Sequence, residues 1–68
     1  MLKKGIISNI DGNRASVILP DEDNVVTAML PFAKSISAEG VNVGDLCAVG
    51  FFYTDSVNFA DGVIIAIY

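Results

Sequence analysis

Histidine and tryptophan are absent from the 68 residues, cysteine occurs once, proline twice, and only four side chains are basic. Without histidine neither a Ser-His-Asp nor a Cys-His arrangement can be built, and no glycine-rich phosphate loop replaces them. A structural zinc site wants four nitrogen or sulfur ligands, and one thiol does not supply them. A lone Cys47 also rules out a disulfide within the chain. Lys3, Lys4, Arg14 and Lys34 stand against eight carboxylates, for a formal charge of −4 and a pI near 4.2. That balance repels a phosphate backbone, so nucleic acid is a disfavoured partner. No apolar run approaches the roughly 18 residues that cross a bilayer. Met1-Leu2-Lys3-Lys4 begins like a leader, but Ser8, Asn9 and Asp11 interrupt the apolar part, and a soluble, unexported chain is expected.

What is abundant is apolar. Hydrophobic residues make up 53 % of the chain and the mean hydropathy is +0.58. A domain this small buries only about 60 % of the surface its unfolded chain exposes and should therefore be more polar than average. It is less so. With disulfides and metal set aside, self-association is the remaining source of added stability.

The chain reads as one domain, residues 1–68, without repeat or linker. Residues 3–10 form a first strand, with Gly5 marking a bulge or bend. Asp11-Gly12-Asn13 is a tight-turn signal. Residues 14–19 return as a second strand, with Ala15, Val17 and Leu19 on one face and Arg14, Ser16 and Ile18 on the other. Pro20 ends it. Asp21-Glu22-Asp23-Asn24 reads as a solvated turn rather than a calcium loop, whose internal glycine and closing glutamate are missing. Residues 25–30 form a third strand, with Val26, Ala28 and Leu30 on one side and Val25, Thr27 and Met29 on the other. Residues 32–43 lack periodicity and allow at most one helical turn at 33–38. Val43-Gly44-Asp45 leads into a fourth strand, 46–53, and Asp61-Gly62 opens a fifth, 63–68, whose continuous apolar run suggests burial on both faces. Five short strands separated by turns predict an all-β fold, most economically a five-stranded Greek-key barrel of the OB type.

Some residues invite sharper readings. Cys47 has no cationic neighbour in sequence, and its parity points inward, so it reads as a core residue rather than a reactive thiol. Phe51, Phe52, Tyr53 and Phe59 resemble a stacking platform for single-stranded nucleic acid, but successive strand residues face opposite ways. Asp11, Asp21, Asp45 and Asp61 all occupy turn positions, where local hydrogen bonding explains them. No catalytic, metal or cofactor site is expected.

Five segments then occur in order: Gly5-Ile6-Ile7-Ser8-Asn9-Ile10-Asp11, Arg14-Ala15-Ser16-Val17-Ile18-Leu19-Pro20-Asp21, Thr27-Ala28-Met29-Leu30-Pro31, Val43-Gly44-Asp45 and Asp61-Gly62-Val63-Ile64-Ile65. This succession resembles the OB-fold domain of contractile-tail phage baseplate spike proteins, the gpV-like and VgrG-like group. The resemblance implies a non-catalytic, homotrimeric barrel collar in the tail of a virion or phage-like particle, present in the bacterial cytoplasm during assembly. Its partners would be copies of itself and tail hub, spike or baseplate proteins. The needle segment of that family does not follow Tyr68, so piercing would fall to a separate needle or hub subunit. Family members commonly carry Arg or Lys alternating on the outer face of the second strand, and Trp before Leu-Pro in the third. Here those places hold Arg14, Ser16, Ile18 and Met29.

Ile7, Ile10, Ala15, Val17, Leu19, Val26, Leu30, Cys47, Val49, Phe51, Val63 and Ile65 are the expected barrel interior. Ile6, Ile18, Val25, Met29, Leu46, Phe52 and Tyr68 are then the candidate oligomer interface. Residues 32–43 and 54–60 are candidate loops for contacts with other tail proteins. A single-stranded nucleic-acid module is the alternative function, and an adaptor taking a peptide on a sheet edge a third.

Overall fold

A computed structural model describes residues 2–52 and 61–68. The readings placed on Tyr53, Phe59 and the 54–60 loop lie outside the described residues. The architecture is all-β: β1 (Leu2–Asp11), β2 (Arg14–Leu19), β3 (Val25–Val26), β4 (Leu30–Pro31), β5 (Leu46–Phe51) and β6 (Gly62–Ile67), with 3₁₀ turns at Pro20–Glu22 and Ala38–Gly40. Every strand pairing is antiparallel. The order is β3-β2-β1-β5-β6, with β4 also on β2, and the ladder is not closed. A single parallel bridge links Phe32 to Ile64, where the Ala33 N–H donates to the Ile64 carbonyl at 2.8 Å.

Turn chemistry explains the connections. In the β1–β2 hairpin Asp11 pairs with Arg14 across a Gly12-Asn13 loop. Gly12 has φ +64° while Asn13 is not in the positive-φ region. Glycine at the first of two central positions is what a type II′ hairpin demands. Before β5, the Asp45 N–H donates to the Asn42 carbonyl at 3.1 Å, and the Asp45 carboxylate accepts from the Asn42 N–H at 2.8 Å. Backbone bonds from Gly44 to the Ile7 carbonyl and from Ile7 to the Asp45 carbonyl dock this turn on β1. Where the sequence allowed one helical turn at 33–38, the structure has a hydrogen-bonded turn from Ala33 to Ile36, followed by the 3₁₀ turn at Ala38–Gly40.

Three irregularities set which side chains enter the core. In β1 the register slips between Ile7 and Asn9, so Ser8 is the extra residue. The bulge lets Ile7 and Ile10, three apart, both face inward, against strict alternation. It falls at Ser8, not at the anticipated Gly5. In the third expected strand, Ile18 pairs with Val26 but Ala15 pairs with Leu30. Four steps on one side thus oppose three on the other, and the strand splits into β3 and β4. In β6, Ala48 pairs with Ala66 but Val49 with Ile64, which ejects Ile65.

These slips correct the expected interior. Ile64, not Ile65, is fully buried, and Ile65 is exposed. Val63 is half-buried and pairs with Gly50. Val26 is 54 % exposed rather than internal. The uninterrupted apolar run at 63–67 is thus not buried on both faces. The observed core is Ile7, Ala15, Val17, Leu19, Leu30, Val41, Cys47, Val49, Phe51 and Ile64. Val41 comes from the aperiodic loop, where no sequence pattern marked it.

Thr27, expected to face outward, is 5 % exposed and repairs the break between β3 and β4. Its N–H donates to the Val17 carbonyl at 2.8 Å, its hydroxyl accepts from the Val17 N–H at 3.0 Å, and the same hydroxyl donates to the Ala28 carbonyl at 2.7 Å. A side chain thus stands in for the missing strand partner. Thr27→Val keeps the shape but leaves the buried Val17 N–H without an acceptor, at a cost of about 1–3 kcal/mol. Urea denaturation should show that loss, with Thr27→Ser closer to the parent.

Candidate self-association surface

Cross-strand partners share a face, so the register alone assembles the outer surface. Val26 pairs with Ile18, Ile18 with Ile6, and Ile6 with Leu46. The Tyr68 N–H donates to the Leu46 carbonyl at 2.9 Å, which adds Tyr68 to the row. Five apolar side chains thus form one stripe across four neighbouring strands and the residue following β6. At about 4.8 Å per strand it is about 19 Å long, close to the two shorter principal extents, 20 and 19 Å. Val26, Leu46 and Tyr68 are exposed, while Ile6 and Ile18 are half-buried.

Four of the seven residues expected at the interface, Ile6, Ile18, Leu46 and Tyr68, are brought together here. The other three are not. Val25 pairs with fully buried Leu19, which puts it on the inner register. Met29 is half-buried within the break between β3 and β4. Phe52 is exposed, but it stands six residues beyond Leu46, where its N–H donates to the Asp61 carbonyl. Val26 completes the stripe in place of Val25, because strand-three parity is the reverse of that read from its hydrophobic alternation. Its partner Ile18 carries the signal that would have found it.

Charge is sparse on this face. Lys4, opposite Ala48, which is itself opposite Ala66, lies one same-face position from Ile6. Among the described residues the one ion pair is elsewhere: Lys3 Nζ to Glu22 Oε2 at 2.7 Å, tying the Pro20–Glu22 turn to β1. Asp11, Asp21, Asp23, Glu39, Asp45 and Asp61 lie in turns or at strand ends. Asp23 and Asp45 thus flank the stripe, close to Val26 and directly before Leu46.

Chemistry elsewhere is thin. Cys47 is fully buried, and burial pushes its thiol up from 9.0 to about 11. At neutral pH the thiolate needed for nucleophilic or metal chemistry is suppressed. The unfolded chain loses this proton first as pH rises, so the resulting stability is present below pH 9 and is lost as pH climbs through the folded value near 11. Denaturation midpoints should fall over that window and flatten in Cys47→Ala. Phe51 is buried and Phe52 exposed, so these two adjacent rings do not form one stacking surface. Among the described residues there is no cavity, no cluster of His, Cys, Asp or Glu able to hold a metal ion, and no helix long and apolar enough to cross a membrane. Compared with family models, curated proteins and solved structures, the chain matches none.

Proposed function

We propose that this chain is a non-catalytic, self-assembling structural subunit of the tail baseplate or tail tip of a phage or phage-like particle. The observation that carries self-assembly is the apolar stripe running across the sheet from Val26 to Tyr68. Burying it on a neighbour, at about 25 cal/mol per Å² of apolar area, adds several kcal/mol per subunit, comparable with the stability of a domain this small. The placement in a tail rests on the five ordered segments quoted above. The Phe32–Ile64 bridge supports an OB-type barrel as the closed form of the sheet, since it joins the residue following β4 to β6. In this reading the subunit works as a homotrimer, and residues 32–43 and 54–60 meet hub, spike or baseplate neighbours. It resides in the particle tail and, during assembly, in the bacterial cytoplasm.

Two measurements test the reading. The chain should co-purify with tail structures from a producing lysate and be labelled at the tail tip by antibody. Its absence from particles removes the tail assignment. In solution it should sediment above monomer mass at micromolar concentration, and Ile18→Lys, on the stripe, should yield a folded monomer. Tight, salt-sensitive binding to single-stranded DNA at low salt would transfer the assignment to the nucleic-acid alternative.

A further inference from the structure

We propose that Asp11 is a modification site, where the chain rearranges to isoaspartate through attack of its own Gly12 nitrogen, and that the fold protects the second Asp-Gly step, Asp61-Gly62. Both steps stand in the sequence, and glycine leaves its nitrogen unshielded by any side chain. In the reaction the Gly12 nitrogen bonds to Cγ of the Asp11 carboxyl in its acid form, the Cγ–OH bond breaks, and the amide hydrogen leaves with that hydroxyl as water. The product is a cyclic imide. Water then adds at the main-chain carbonyl carbon and the bond from that carbon to nitrogen breaks. The chain thereafter runs through Cβ and Cγ of residue 11, with a free α-carboxylate and no net change in mass.

The two steps differ in what surrounds the nucleophile. Asp11, Gly12 and Asn13 are all exposed at the tip of the β1–β2 hairpin. A Cβ built on Gly12 meets nothing within 4 Å, and the Gly12 N–H makes no hydrogen bond among the described residues. Ring closure there displaces no neighbour. Asp61 is likewise exposed, but Gly62 is buried in β6 opposite Phe51. A Cβ on Gly62 would stand 2.7 Å from both the Gly50 carbonyl oxygen and Phe51 Cδ1, and the Asp61 carbonyl accepts from the Phe52 N–H at 3.0 Å. Closing the imide at 61–62 therefore waits on local opening of the β5–β6 pairing. The hairpin tip also seats other elements. The Phe32 N–H donates to the Asn13 carbonyl at 3.3 Å, and Arg14 pairs with Pro31. An isoaspartyl link puts one more atom into the main chain of a turn whose length sets the register, so it loosens the seat of β4 as well.

Ageing tests it. The folded chain is incubated at physiological temperature and pH beside a sample in guanidinium chloride, and both are then digested with trypsin, which separates the sites into peptides 5–14 and 35–68. Methyl transfer from labelled S-adenosylmethionine by an isoaspartyl methyltransferase counts isoaspartate in each peptide, and fragmentation mass spectrometry places it. In the folded chain the rate at Asp11 should exceed that at Asp61 about tenfold or more, and in denaturant the two should converge. Asp11→Glu, whose longer side chain does not close the same ring, should abolish the signal from 5–14. The aged parent should unfold at a lower urea concentration than fresh protein, while aged Asp11→Glu should not. Equal rates in the folded chain, faster reaction at Asp61, or an Asp11 that reacts in denaturant but is silent when folded would each overturn the site. An aged parent as stable as fresh protein overturns its coupling to β4.

Discussion

Replacing Ile64 with alanine is expected to lower the unfolding free energy by about 2–5 kcal/mol, whereas Ile65→Ala should change it by about 0.5 kcal/mol or less. The two residues are adjacent, chemically identical and indistinguishable by hydrophobic pattern. The register slip between Ala48 and Val49 separates them: Ile64 pairs with Val49 in the fully buried interior, while Ile65 is displaced to solvent. Ile64 also carries the bridge to Phe32, so loss of its side-chain packing loosens the link between residues 32–33 and β6. A domain of this length has a total stability of about 3–10 kcal/mol, so Ile64→Ala should be partly unfolded at ambient temperature. Urea titration at one fixed protein concentration measures both, since association shifts apparent stability. Equal losses, or a larger loss for Ile65, would contradict the bulge.

Gly5→Ala is expected to cost about 1–3 kcal/mol, through overpacking rather than backbone conformation. Gly5 is buried in the middle of β1, opposite Cys47 on β5. A Cβ built there would overlap Val17 Cγ1 and lie 3.3 Å from both Cys47 Sγ and the Ile18 carbonyl oxygen. Val17 is fully buried and β-branched, so it has little freedom to rotate away. Relief has to come from separating β1 from its neighbours, which strains the centre of the sheet. Gly5→Val should be worse and leave little folded protein. A double change, Gly5→Ala with Val17→Ala, should recover part of the loss if this contact is the cause. Thermal denaturation of the four proteins decides it, and full tolerance of Gly5→Ala would mean the strands stand farther apart than described.

These two sites show where local pattern is sufficient and where it is not. The all-β class, the Gly12-Asn13 hairpin, the turn before β5 and the inward face of β2 could be read directly, because each depends on φ/ψ preference or on alternation within one uninterrupted strand. Ala15, Val17 and Leu19 alternate as written because β2 contains no slip. The same reasoning misplaced Val26, Thr27 and Ile65, each in or beside a strand where one inserted residue reverses parity for everything beyond it. Gly5 was read as a bend, yet its lack of a side chain answers to Val17, a residue twelve positions away. The candidate surface was legible as a composition, in the high apolar content of so short a chain, and in four of its residues.

Residue chemistry by itself thus determined the all-β class, the turns, the absence of groups for histidine- or disulfide-based chemistry, and the high apolar content. Tertiary structure alone decided which isoleucine of a run is core, which polar side chain completes the ladder, and which apolar residues line up as a stripe. The physical reason is that strand alternation has a period of two, and its phase is set by pairing. A single unpaired residue at Ser8, between Val26 and Leu30, or at Ile65 shifts that phase, and only the partner strand records where the shift falls.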